Sequence, residues 1–312
     1  MRLTRIKLYG ALLLACLIVV GVATLTNCGI YRHQSIQVPK LYIPMPGNAT
    51  SFSNYSFYAD VSSLPREAKL YRFVPDNDLE AKYNSIKQIF GFTEDAVVHD
   101  VDDVRFLSEE NENISRWLDF YFSDGTWQYH DYSRDITDPV SLPSDEASTQ
   151  YAVAFLVENG LYNERFEVNS VVEQYTGEKE TGDYNAYCKS VYFYPTAGGI
   201  PVYGVSRIAV SVGDNGGIVG VYHFYKDIDE AGIVDLISPE SLYERIENAE
   251  FSSSINPAAV EAAINEIFLG YWEDSGSIEE QPYLQPVWVY IGIAVLEDGQ
   301  EEPFDVIAPA IK

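Results

Sequence analysis

The sequence predicts an α+β protein made of repeated units of a short helix packed on an antiparallel β-meander, standing behind an N-terminal membrane anchor. Three observations lead there. Helix starts punctuated by proline recur near residues 74–79, 142–147 and 237–242. Each is followed by aromatic-rich runs separated by Gly-containing turns, and their period-two alternation is that of half-buried strands. The connections between those runs are too short for parallel crossovers, which take about a dozen residues or more, so the helices belong on antiparallel sheet and not in a doubly wound one. The predicted organisation is 1–28 as signal peptide or membrane anchor, 29–65 as spacer, 66–138 as a first α+β unit, and 139–312 as a second and third.

The anchor comes first in the chain. Arg2, Arg5 and Lys7 precede a run without charge from Leu8 to Tyr31, whose apolar part is Leu8–Thr26. That is close to the ~20 residues needed to cross a bilayer and longer than the apolar core of a cleaved signal peptide, about 7–15 residues. The cations hold the N-terminus in the cytoplasm, which places the rest of the chain outside. Leu25-Thr26-Asn27-Cys28-Gly29 resembles a bacterial lipoprotein box, with Asn27 where that pattern has Gly, Ala or Ser. Cys16, after Leu13-Leu14-Ala15, fits the local pattern better but leaves a long apolar tail on the mature chain. Cys28 is therefore the candidate for lipidation, and an uncleaved transmembrane helix is the alternative. Either way the chain is expected to be exported and attached to the outer face of the cytoplasmic membrane, with the membrane as one partner.

Charge supports an exterior address. The chain holds 20 basic and 47 acidic residues, a formal charge of −27. Arg2, Arg5, Lys7 and Arg32 lie in the first 33 positions, which contain no acid; 16 basic residues remain against 47 acidic ones, a charge of −31 beyond that point. Such a surface repels nucleic-acid phosphates and anionic headgroups, so nucleic acid is excluded as a partner. The acidic residues read as a solvating coat. Of the three cysteines only Cys188 lies well clear of the apolar run, so no disulfide framework forms without Cys28.

Beyond a spacer rich in Pro, Ser and Asn, with edge pairing near Tyr55–Val61, the elements come in order. A first helix carries Leu79, Tyr83, Ile86, Ile89 and Phe90 on its apolar face and stops at Gly91. Strands are expected over 96–107, Arg116–Phe122 and Trp127–Tyr132, the last two joined by an Asp124-Gly125 turn. A second helix turns Ala147, Tyr151, Ala154 and Phe155 inward and stops at Gly160. It precedes strands at Phe166–Tyr175, Tyr187–Tyr194, Ile200–Val212 and Gly217–Tyr225. A third helix, with Ser238 as cap and Pro239 at its first position, buries Leu242, Ile246 and Ala249. A short helix headed by Pro257 over Ala258–Ile264 then leads to strands at Glu266–Trp272, Val287–Leu296 and Phe304–Ala308. Val287, Val289, Ile291 and Ile293 are assigned to the face under the helix at 239–248, with Trp288 and Tyr290 on the other face, covering a neighbouring part of the chain.

No stretch carries a catalytic signature. Residues 199–206, Gly-Ile-Pro-Val-Tyr-Gly-Val-Ser, match a phosphate-binding loop except that Val205 replaces the lysine. Such a loop opens a helix whose N-terminus meets the anion, whereas Ile208, Val210 and Val212 alternate as a strand. No Gly-x-Ser-x-Gly, His-Glu-x-x-His or Cys-x-x-Cys is present. His99-Asp-Val-Asp-Asp reads as a solvated strand end, because His99 and Asp103 share one face while Asp100 and Asp102 share the other. Asp76-Asn-Asp reads as a helix cap and Cys188 as a small buried residue. No catalytic residue, cofactor site or metal site is assigned.

One set of stretches comprises Ser141-Leu-Pro-Ser-Asp-Glu-Ala with Ala154-Phe-Leu and Gly160-Leu, Gly199-Ile-Pro-Val-Tyr-Gly, Gly217-Ile-Val-Gly-Val, Leu269-Gly-Tyr and Pro286-Val-Trp-Val-Tyr. Together they resemble the YycH/YycI-type extracytoplasmic regulatory proteins and the related PepSY-like domains. The resemblance covers about 140–312 and is weaker over 66–135. It implies a PepSY/YycI-like sheet-and-helix module without catalysis that restrains a membrane sensor or holds another envelope protein. Two function classes result: a membrane-anchored, non-enzymatic interaction or regulatory module with a protein partner, and a surface protein that binds a solute, sugar, peptide or cation through exposed tyrosines and carboxylates. A flat apolar patch favours the first, and a pocket with convergent polar groups the second.

Overall fold

Residues 38–41, 43, 52, 54–134, 141–178 and 183–311 are described by a computed structural model. The apolar run Leu8–Thr26 and Cys28 lie outside the described residues. In chain order the strands begin with β1 (Tyr55–Phe57), β2 (Glu67–Val74), β3 (Val97–Val101), β4 (Val104–Glu110), β5 (Ser115–Tyr121) and β6 (Trp127–Asp131). They continue with β7 (Phe166–Glu178), β8 (Asp183–Ala197), β9 (Ile200–Gly204), β10 (Arg207–Val212), β11 (Ile218–Phe224) and β12 (Asp227–Asp235). The C-terminal strands are β13 (Ser252–Ser253), β14 (Ala259–Glu273), β15 (Tyr283–Leu296) and β16 (Glu301–Pro309). Helices α1 (Leu79–Ile89), α2 (Asp145–Glu158) and α3 (Tyr243–Glu247) lie between them.

This overturns the expected α+β class of helix-on-meander repeats. Strand makes up 51% of the described residues, and sixteen strands among them join one mixed hydrogen-bonded network. β14 pairs in parallel with β1 and with β9, which no antiparallel meander contains. The third predicted helix is reduced to a 3-10 turn, Pro239–Leu242, and the five residues of α3. The helix expected over Ala258–Ile264 is the start of β14. Asn256 explains that reversal, since its side chain accepts from the Ala258 amide at 2.9 Å and its carbonyl from Ala259. The Asx turn launches an extended strand, and pairing along the whole length of apolar β15 outweighs the helix propensity of Ala-Val-Glu-Ala-Ala.

The network divides into two curtains. One is the antiparallel run β3-β4-β5-β6-β11-β10-β8-β7. Helices α1 and α2 both cover the same face of it, where Tyr83, Ile86, Ala152 and Leu156 meet Leu107, Leu118, Trp127, Val191 and Val210. On α1, Asp78 accepts the Ala81 amide and the predicted positions Tyr83 and Ile86 are buried. On α2 the predicted stripe is displaced: Ser148, Ala152 and Leu156 are buried, while Tyr151 and Ala154 are exposed. Apolar residues surround that helix, so spacing alone does not select its inner face.

The second curtain is built on β14 and β15, with β16, β13, β2 and β12 beside them. Here the predicted faces of β15 are exchanged. Trp288 and Tyr290 lie under Leu242 and Ile246, while Val287 and Val289 face Leu41 and Ile43 from the segment preceding β1. The indole N–H of Trp288 donates to Ile237 O at 2.8 Å and the Tyr290 hydroxyl to Pro239 O at 3.1 Å. The polar ends of the two rings decide the matter. The irregular turn leading to α3 offers carbonyls outside the sheet ladder, and a buried N–H or O–H requires such a partner.

Trp288→Ala should cost about 3–5 kcal/mol, the range for aromatic truncation in a core, seen as a large fall in the melting temperature of residues 38–312. Ile293→Ala, on the same strand but 37% exposed, should cost under about 1.5 kcal/mol. Equal losses from the two variants would refute the face assignment.

Candidate functional site

Both helices of the first curtain lie on one side, and no helix among the described residues covers the other. Register places the side chains of that open face in rows. One row runs Trp117, His130, Gly220, Ser211, Ser190 across β5, β6, β11, β10 and β8. The next runs Asp119, Gln128, Tyr222, Ala209, Tyr192. Small residues at Gly220, Ala209 and Ser211 leave a hollow of about 310 Å³ between aromatic shoulders. The indole of Trp117 stacks alongside His130 with centroids 6.2 Å apart, and Tyr222 stacks on Phe224 at 3.9 Å. The hydroxyls of Ser190 and Ser211 share a hydrogen bond of 2.9 Å.

Two opposite charges stand in this face. Asp119 accepts from the Gln128 amide at 2.9 Å, and burial pushes its carboxyl above the ordinary range, with that hydrogen bond opposing. Arg207 lies three strands away, roughly 14 Å at the usual strand spacing. Its guanidinium carbon sits 4.7 Å over the Tyr222 ring, and no carboxylate among the described residues pairs with it. Burial raises the Tyr222 phenol, with Arg207 opposing.

A second polar cluster is buried where the two curtains join. Lys226, just after β11, has its ammonium 3.6 Å from Glu273 at the end of β14, 3.8 Å from Asp124 in the β5–β6 turn and 3.1 Å from Asp274 O. Lys226 and Glu273 are about as inaccessible as Trp288, at 3% and 1% exposure. Arg165 lies partly buried nearby, its Nε donating to Thr196 O at 3.2 Å, and the Glu273 charge acts on it. His223, in β11 itself, is buried flat against Trp127 of the neighbouring β6 at 4.9 Å.

The phosphate-loop look-alike ends in this cluster. Residues 200–204 are β9 and 207–212 are β10, so a strand stands where a nucleotide site needs a helix. Gly204 is at φ +98°, and a side chain there would fall 2.0 Å from Glu273 O, which also accepts from Val205 N at 3.0 Å. The glycine is required for strand crossing. His99 stands on edge strand β3, and among the described residues no three His, Cys, Asp or Glu side chains converge as a metal site. Cys188 is buried at 1% exposure in β8. Sequence reading missed Arg207 and Gly220. The signal was a glycine in the middle of an apolar strand, Ile218–Phe224, which disfavours the strand unless something approaches closely.

Burial raises the Glu273 carboxyl from 4.5 to about 7, more than the Lys226 charge offsets. Between those values the folded chain holds a proton that the unfolded chain has lost. Its contribution is therefore complete below about pH 4.5 and is lost as pH rises through about 7. His223, lowered by burial from 6.5 to about 3, has the reverse slope: its contribution is lost as pH falls through that window. Subtracting the stability of Glu273→Gln from that of the natural chain isolates the first effect. The difference should decline from pH 4.5 to 7, and a flat or rising difference would contradict the assignment.

No family model matches the chain, and no curated protein matches it. Among solved structures, an uncharacterized protein from Eubacterium rectale is similar over 83% of this chain and 89% of its own, at 11% identity and a TM-score of 0.42.

Proposed function

We propose that the chain is an exported, membrane-attached, non-enzymatic recognition module that binds its ligand on the open face of the β3-to-β7 curtain. One observation carries the reading: a hollow lined by rings, hydroxyls, amides and a guanidinium without a carboxylate partner, on the face the helices leave bare. Convergent polar groups in a hollow fit a ligand better than a flat apolar contact does. Attachment is inferred from Leu8–Thr26, the cations before it and Cys28. Among the described residues no helix is long and apolar enough to cross a membrane.

A protein partner, of the kind the YycH/YycI resemblance implies, is the second reading. It rests on β3, an edge strand whose Val97, Val98 and Val101 are 66%, 50% and 45% exposed. An edge of this kind accepts an added strand.

A photo-crosslinking side chain placed at Tyr222, at Val98 and at Val157 of the full chain in its native envelope separates the readings. Adducts from position 222 alone are expected. Adducts from 98 alone favour strand addition, and adducts from 157 alone contradict both. Cys28→Ser should abolish lipid labelling and leave precursor in the membrane if Cys28 is lipidated, and should change neither mass nor fractionation if the run is an uncleaved helix. A soluble mature chain as the main natural species would refute attachment in either form.

A further inference from the structure

Resting on that reading, we propose that the hollow beside Arg207 is a saccharide site that reads one carboxylate, that of a single acidic sugar unit in an otherwise neutral glycan. The guanidinium is the first ground. Eight other cations among the described residues stand 2.6–3.8 Å from a carboxylate. Three half-buried cations among the described residues, Lys87, Arg165 and Arg207, have no carboxylate at that distance, and of these Arg207 alone is stacked on an aromatic ring. Stacking on Tyr222 fixes the plane of the fork and leaves its N–H groups to grip a planar anion. Arg66 differs, because the cleft it lines also contains Asp235 and Glu240.

Gly220 is the second and independent ground. A Cβ there would project into the hollow, 3.4 Å from His130 Nδ1 and 3.5 Å from Ser211 Cβ. These are ordinary contacts, so the fold tolerates a methyl group at this position, and the bare floor is space left for something else. Glycine in a strand interior marks a bulge or a close approach; the ladder bulges beside Gly220, between Ser211 and Val212, and the space above the glycine is open to the hollow.

The class of ligand is set by the groups the face presents. The middle of a sheet exposes side chains and no free backbone, so an extended peptide, which binds by pairing with an edge, finds no partner here. Rings at Trp117, Tyr192 and Tyr222, hydroxyls at Ser190 and Ser211, and the Gln174 amide suit the apolar faces and hydroxyls of a pyranose. The acidic coat sets the number of charges. A polyanion is repelled by a chain of net charge −27, whereas a lone carboxylate at Arg207 lies within about 8 Å of its counter-charge and is little disturbed by more distant acids at physiological salt.

Calorimetric titration of the full chain, purified in detergent micelles, tests this with three sets of probes. These are oligosaccharides ending in one hexuronate or nonulosonate unit, the same oligosaccharides ending in a neutral hexose, and short peptides with a free C-terminal carboxylate. An acidic oligosaccharide should bind, its neutral counterpart should bind roughly tenfold more weakly or worse, and Arg207→Gln should remove that discrimination. Gly220→Ala should weaken binding without lowering the melting temperature, which separates a filled site from a damaged fold. Equal binding of acidic and neutral sugars, unchanged by Arg207→Gln, would overturn the carboxylate assignment and leave the recognition reading standing. Binding of the peptides in preference to the sugars would overturn the saccharide assignment. Absence of binding by every probe, together with no adduct from position 222, would overturn the site and the recognition reading together.

Discussion

The buried contact between Lys226 and Glu273, an ion pair once Glu273 loses its proton near pH 7, is the constraint on which the rest depends. Two charges withdrawn from water cost several kcal/mol each unless geometry repays them, so this pair is a poor source of stability. Its importance is positional. Lys226 stands where the chain leaves the helix-covered curtain through β11 and enters the second through β12, and Glu273 stands where β14 meets the crossing from β9 to β10. Asp124, from the turn of a third hairpin, and the Asp274 carbonyl complete the ammonium's surroundings. A shift of either curtain would leave a charge buried without its partner, at a cost greater than that of the intact pair. The join therefore selects one arrangement, and Gly204 permits it by letting β9 pass directly against the Glu273 carbonyl.

The join also shapes the open face. Helices α1 and α2 are both committed to the other side. An aromatic sheet face without helical cover exposes apolar area that a monomer ordinarily keeps small. Here small residues lower the centre of the face, so the rings line a hollow and do not form a flat patch. The acidic coat complements this arrangement. It opposes indiscriminate association and leaves Arg207 as a local positive centre in a negative surround.

Much of the local structure was legible in the sequence. Asp78 and Ser144 cap the first two helices as their positions suggest, alternation identified β10, and aromatic or apolar runs identified β5, β11 and β15. What failed required long-range information. Ala258–Ile264 has good local helix propensity, and only its pairing with β15 makes it extended. β12, Asp-Ile-Asp-Glu-Ala-Gly-Ile-Val-Asp, looks like a loop because its partner, β2, lies more than 150 residues earlier. The faces of β15 were exchanged because apolar residues occupy both, and the choice rests with two carbonyls near Pro239 that no pattern of hydrophobicity marks. Arg207 was invisible for a related reason: whether an arginine has a counter-charge is a property of the neighbouring strands, not of its own.

If the join binds both curtains into one cooperative body, the tryptophans are placed to reveal it. Trp117 and Trp127 lie in the helix-covered curtain, Trp272 and Trp288 in the other. With 5-fluorotryptophan incorporated into the otherwise natural chain, fluorine NMR across a urea titration tracks each site separately in one sample. The native resonances of Trp127 and Trp288 should disappear together, at one urea concentration and with one slope. Loss of one while the other persists through a distinct plateau would show that the curtains unfold independently, and would contradict the role given to Lys226 and Glu273.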